Sequence, residues 1–113
     1  LAISLEDVKY NFEKYGLLDD KVKFLKGWFK DTLPTAAIDK LSILRLDGDM
    51  YESTINALDN LYPKLSKGGY IIVDDYGVVD GAKQAVLDYR KKYNISEKII
   101  DIDGAGVYWK REN

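Results

Sequence analysis

The chain has 113 residues, 46% hydrophobic and 32% charged, the size and apolar content of a single folded domain. A net charge of -2 with acids and bases interspersed excludes the basic stripe of a nucleic-acid binder, and no apolar run approaches the roughly 20 residues a membrane-spanning helix needs. Cysteine is absent, which rules out disulfides and thiol catalysis and fits a reducing, cytoplasmic setting; histidine is absent too, so a general base has to be Asp, Glu, Lys or Tyr, and a metal site has to be oxygen-only, as Mg²⁺, Ca²⁺ or Mn²⁺ prefer.

Ser4 and Asp7 form a capping-box pattern with an acid in place of Glu or Gln. Leu5, Val8, Phe12 and Tyr15 recur at helical spacing, and Gly16 is placed to stop that helix. Residues 22–25 read as a short strand ending at Gly27, Trp28 and Phe29, and Pro34 marks a loop with a helical turn expected around 36–40. Residues 41–46 (LSILRL) are the next strand. Asp49 and Glu52 repeat the capping-box spacing ahead of a helix whose stripe is Tyr51, Ile55, Leu58 and Tyr62. After Gly68 and Gly69, residues 70–73 (YIIV) form an apolar run of the kind found in strands buried on both faces. Asp80 is placed to cap a further helix with Ala82, Val86, Tyr89 and Tyr93 on one side, and two short strands at 99–102 and 107–110 close the chain around a glycine-rich turn. The alternation predicts one α/β domain, a mostly parallel sheet with a C-terminal antiparallel edge hairpin.

Ligands on open α/β sheets bind beyond the carboxyl ends of the strands, and two strands here end in acids, at Asp47-Gly48-Asp49 and at Asp74-Asp75. A cap role suffices for Asp49. Asp47 is then left without a structural task, and Gly48 lets backbone approach a ligand closely. Asp74 and Asp75 point to opposite faces if the strand runs on, so the chain has to leave the strand between them for both to reach one ion. Converging carboxylates repel unless a cation neutralises them, and Mg²⁺ takes such ligands while keeping waters that substrate oxygens displace. The competing reading is that these acids are loop solvation and caps. A phosphoacceptor receiver domain also carries an Asp-Asp pair, but there the pair ends the first strand, whereas Asp47 precedes it here.

Residues 44–54 (LRLDGDMYEST), 61–65 (LYPKL), 68–77 (GGYIIVDDYG) and 106–110 (GVYWK) resemble the signature segments of the macrocin O-methyltransferase (TylF-type) family. Residues 15–18 (YGLL) and 24–34 (FLKGWFKDTLP) also look like family segments, in family order. The resemblance implies a partial Rossmann-like, class I methyltransferase fold, S-adenosylmethionine as methyl donor, and Mg²⁺ chelating hydroxyls of a sugar-containing small-molecule substrate. It implies Asp47, Asp74 and Asp75 as metal ligands, Asp47 as the base that deprotonates the accepting hydroxyl, and Gly27 and Trp28 near the adenine of the cofactor. Two departures stand out. The glycine-rich loop that cradles the cofactor has no counterpart here, so the chain is expected to be the C-terminal part of a methyltransferase domain, and the resemblance names the family without establishing the activity of this chain alone. Gly104 also stands where relatives commonly carry a bulky aromatic. The alternative function is a catalytically inactive cation-binding or assembly domain of the same fold. In the family two further strands lie between 22–25 and 41–46, so the strand at 41–46 is expected to find cover from 22–25 or from a second chain in a homo-oligomer.

Overall fold

A computed structural model describes residues 4–19, 22–25 and 28–113. The first helix, α1, spans Leu5–Lys14 and is closed at both ends by the expected chemistry. The Ser4 hydroxyl accepts the Asp7 N–H at 3.1 Å, and the Asp7 carboxylate accepts the Ser4 N–H at 3.4 Å. At the other end Gly16 adopts φ 68°, its N–H bonds to the Glu13 carbonyl at 3.0 Å, and Leu17 bonds back to Phe12 at 2.8 Å. That pair of bonds is a Schellman stop, which needs a residue that tolerates the left-handed region. Leu5, Val8 and Phe12 are only half-buried, and no residue of α1 is fully buried.

Residues 22–25 form no strand, contrary to the expectation. A strand exists through its ladder partners, and this segment has none among the described residues; Phe24 instead packs its ring 5.5 Å from that of Phe12. The helical turn α2 also sits earlier than expected, at Phe29–Thr32 rather than at 36–40. The turn ends at Leu33, which keeps helical backbone at φ -71° and ψ -37°; Pro34 has no N–H with which to continue the ladder.

Strand β1 (Leu41–Leu46) runs parallel to β2 (Leu65–Val73), joined through helix α3 (Tyr51–Leu61) and a 3₁₀ turn at Tyr62–Lys64. Helix α4 (Asp80–Lys92) leads to β3 (Ile100–Asp101) and β4 (Val107–Lys110), which form an antiparallel hairpin whose β4 strand pairs antiparallel with β2. The order β1-β2-β4-β3 is thus a mixed α/β sheet, parallel between the crossover strands and antiparallel at the C-terminal edge. β2 begins earlier than the apolar run suggested. Its register slips between the pairs Leu41–Leu65 and Ile43–Tyr70, so Gly68 and Gly69 lie inside an irregular strand, tied to Arg111 by bonds of 2.6 and 2.8 Å. Asp80 does not cap α4; it is the first helical residue, and Val79 occupies the cap position.

The core lies on one side of the sheet. Leu44, Leu46, Ile71, Val73, Val107 and Trp109 are buried together with Ala57 and Leu58 of α3 and Val86 and Tyr89 of α4. At its base the Trp109 indole N–H donates to the Tyr62 hydroxyl at 3.1 Å, and the Arg90 guanidinium lies 4.6 Å from the Trp109 ring centroid. On the opposite face Ile43, Arg45 and Tyr70 are exposed and Ile72 is half-buried. The run 70–73 is therefore buried alternately and not on both faces, because among the described residues helices cover one face only. β1 likewise pairs on one side only among those residues, with 22–25 giving it no cover.

Candidate metal centre

The carboxyl ends of β1 and β2 lie side by side because the strands are parallel and in register at Leu46–Val73. Beyond that register the chains diverge. The Asp74 N–H still bonds to the Leu46 carbonyl at 2.8 Å, continuing the ladder by one residue, and then Asp75 turns to φ 59°. This left-handed residue is the departure from the strand that the adjacent acids require. It sends Asp75 toward β1's tip and leaves Asp74 on the open face of the sheet, the face that also carries Arg45.

The structure accordingly groups the acids differently from the expected set. One carboxylate oxygen from each of Asp47, Asp49 and Asp75 lies within 4.8 Å of the other two. Asp74 is outside this group; its Oδ2 accepts from Arg45 Nε at 2.7 Å. Asp49, assigned to a helix cap by its spacing from Glu52, caps nothing: the cap position of α3 is Met50, with no side-chain cap bond. The Ser53 and Thr54 hydroxyls donate to the Met50 carbonyl at 3.0 and 2.9 Å, bonds that do not replace a cap, because a cap accepts the N–H groups of the first turn. Gly48 has a packing reason for lacking a side chain, since a Cβ there would lie 2.9 Å from the Ser53 hydroxyl oxygen.

The Asp75 carboxyl is pushed above the usual carboxylate range, first by partial burial, then by hydrogen-bond contact with Asp47 and by repulsion from Asp47, Asp49 and Asp74. Arg45 is spent on Asp74. Its own pKa is raised by that bond. The donor set is all oxygen and suits a hard divalent cation. Mg²⁺ bound at about 2.1 Å holds its ligand oxygens at most about 4.2 Å apart, so small side-chain rotations bring the three acids into range.

Two cavities that share Phe29 and Ser53 lie beside the start of α3, and the second is lined in part by Asp47. One, of 330 Å³, is lined by Trp28, Phe29, Lys30, Met50, Glu52, Ser53 and Asn56. The other, of 270 Å³, shares Phe29 and Ser53 with it and reaches Arg45, Asp47 and Gly48. Trp28 is 75% exposed and Met50 63%, so the apolar walls of the first are open to a ligand. Gly27, expected beside Trp28, lies outside the described residues. Sequence reasoning missed Arg45 and Asp49. The signal for Arg45 was a lone cation in an apolar strand; for Asp49 a stronger capping pattern hid it.

A family model described as Macrocin-O-methyltransferase (TylF) matches residues 1–111. The chain belongs to the macrocin O-methyltransferase family. It is 60% identical over 111 residues to demethyldecarbamoylnovobiocin O-methyltransferase of Streptomyces niveus, covering 98% of this chain and 42% of that protein. It is 59% identical over 110 residues to the 8-demethyl-8-(2,3-dimethoxy-alpha-L-rhamnosyl)-tetracenomycin-C 4'-O-methyltransferase of Streptomyces olivaceus, covering 97% of this chain and 42% of that one. Among solved structures, the O-methyltransferase NovP superposes with a TM-score of 0.98 at 58% identity, over all of this chain and 47% of that one. The chain thus spans less than half the length of these relatives.

Proposed function

We propose that these 113 residues form one domain corresponding to the C-terminal part of an S-adenosylmethionine- and Mg²⁺-dependent O-methyltransferase, acting on a sugar hydroxyl of a glycosylated small molecule. The observation that carries this reading is the meeting of Asp47, Asp49 and Asp75 at adjacent strand tips, beside a trough that runs from Trp28 to Asp47. Family membership supports the methyl donor, since a methyltransferase family implies S-adenosylmethionine. The relatives' names support the acceptor class, one of them naming a rhamnosyl substrate.

In this reading Asp47 and Asp75 hold the cation. Asp49 is the third ligand by distance, and Asp74, the third expected from the family resemblance, is the alternative. A bound Mg²⁺ supplies Lewis acidity that lowers the pKa of a coordinated hydroxyl. Asp47, on the cavity wall, accepts the proton of the reacting hydroxyl. Trp28, with Gly27 before it, borders the adenine: Phe29, Met50 and Trp28 offer flat apolar surface, and Glu52, Ser53 and Asn56 offer a polar rim. The reaction is chiefly a matter of holding hydroxyl and methyl group in line.

The test uses the full-length product of the reading frame, radiolabelled S-adenosylmethionine and a panel of deoxysugar glycosides, with and without chelator. Methyl transfer that needs Mg²⁺ and is abolished by Asp47→Asn supports the proposal. Turnover that is indifferent to chelator, or an Asp47→Asn enzyme of unchanged rate, overturns it.

A further inference from the structure

The bend at 74–77 is held from outside its own strand. Asp75 sits in a left-handed conformation that side chains rarely adopt, φ 59°, and its carbonyl accepts the N–H groups of Val78 at 3.0 Å and Val79 at 2.8 Å. Two residues on, the Gly77 N–H donates to the Ala105 carbonyl at 2.8 Å, across to the turn at 101–106 that joins β3 to β4. The two backbones are in contact there. A Cβ on Gly77 would collide with the Gly104 carbonyl oxygen and lie 3.3 Å from its carbon. The same turn also passes Asp74, since a Cβ on Gly106 would lie 3.7 Å from Asp74 Oδ1.

The turn has its own internal scaffold. Asp103 Oδ1 accepts the N–H of Ala105 at 3.1 Å and of Gly106 at 2.8 Å, and Asp101 accepts the N–H of Gly104 at 3.0 Å. Ile102 and Gly106 close it with a backbone bond of 2.9 Å. Asp103 therefore fixes the direction of the Ala105 carbonyl, the group that receives Gly77. Side chains that hydrogen-bond their own backbone in this way stiffen turns.

We propose that the turn at 101–106 is the template for the 74–77 bend, which makes Asp103 and Gly77 positioning residues for the Asp75 carboxylate. Neither touches the acid cluster; they act by setting the backbone that carries Asp75. Only the affinity part of the test below rests on the reading of the acids as a cation site.

The experiment compares Asp103→Ala, Asp103→Asn and Gly77→Ala in this chain, by amide hydrogen exchange at Val78 and Val79 and by calorimetric titration with Mg²⁺. Asp103→Ala removes the acceptor of two N–H groups and is expected to speed exchange at Val78 and Val79 about tenfold. It is expected to weaken Mg²⁺ about tenfold, the low end of what outer-shell partners contribute. Asp103→Asn keeps an oxygen that accepts both bonds and is expected to restore both readouts. Gly77→Ala acts like Asp103→Ala while the core signals of Ile71 and Trp109 are unchanged. Wild-type exchange at Val78 and Val79 in Asp103→Ala, or equal loss in Asp103→Asn, overturns the proposal. Absence of Mg²⁺ binding by the unmodified chain overturns the cation reading instead, and the exchange rates still decide the role of the turn.

Discussion

Asp49→Asn and Asp74→Asn separate the geometric assignment of the cation site from the one the family resemblance implies. Each substitution removes one negative charge and keeps the side chain's size. Asp49 caps no helix, so the change there disturbs no backbone bond of α3. Asp74 loses its charged contact with Arg45, whose side chain is 68% exposed, and an exposed pair of that kind contributes little to stability. Both variants are expected to fold, and the difference appears on adding Mg²⁺. Binding to the native state alone, at ten times the dissociation constant, raises the melting temperature of a domain this size by roughly 5 °C. Loss of a ligand weakens affinity about tenfold or more, beyond the effect of an outer-shell partner, and the same Mg²⁺ concentration then shifts Asp49→Asn by less than about 2 °C. Asp74→Asn keeps the roughly 5 °C response. The assay is thermal melting followed by tryptophan fluorescence, with Ca²⁺ as a second cation and KCl at matched ionic strength as the control. The reverse pattern, Asp74→Asn silent to Mg²⁺ and Asp49→Asn responsive, refutes the distance argument and means that Asp74 leaves Arg45 when the ion arrives.

Tyr62→Phe leaves the fully buried Trp109 indole N–H without its acceptor, a loss of about 1–3 kcal/mol read as a lower urea midpoint at unchanged slope; an unchanged midpoint shows that another group takes the bond. Ser4→Ala removes a cap of about 0.5–2 kcal/mol from α1, yet α1 buries no residue, so faster amide exchange confined to α1 is expected with no change in global melting. A falling melting temperature in that variant shows that α1 is part of the cooperative unit.

The fold was legible wherever one residue type answers one local demand. Ser4 with Asp7, Gly16, and the stripe of Ile55 and Leu58 all act within a turn or two of themselves, and the structure uses them as their spacing suggests. The segment 22–25 misled because an apolar run reports burial or pairing only if a partner exists, and the described residues offer β1 none on that side. The residues 70–73 misled for a related reason. Their composition asks for cover on both faces, and the described residues supply it on one.

The candidate site was legible as a set of strand-tip acids, and which of them the structure brings together has a geometric cause. Spacing placed Asp47, Asp74 and Asp75 at strand tips, which is as far as a period of two can reach. Whether Asp74 or Asp49 completes a group depends on where the chain leaves the ladder, and that is fixed by a single left-handed residue, Asp75, and by a turn some thirty positions away. The capping pattern at Asp49 and Glu52 was a genuine local preference that lost to a tertiary one. No side chain caps α3, and one Asp49 carboxylate oxygen lies within 4.8 Å of oxygens of Asp47 and Asp75 instead. A carboxylate released from a cap and aimed at two others raises the electrostatic cost of the ligand-free state. Nothing in the core requires that arrangement, because the buried side chains all lie on the helical side of the sheet. The repulsion lies between two loops, one after β1 and one after β2, whose strands are paired at the buried residues Leu46 and Val73 while the carboxylates stand outside the core; in the proposed reading a cation offsets that repulsion.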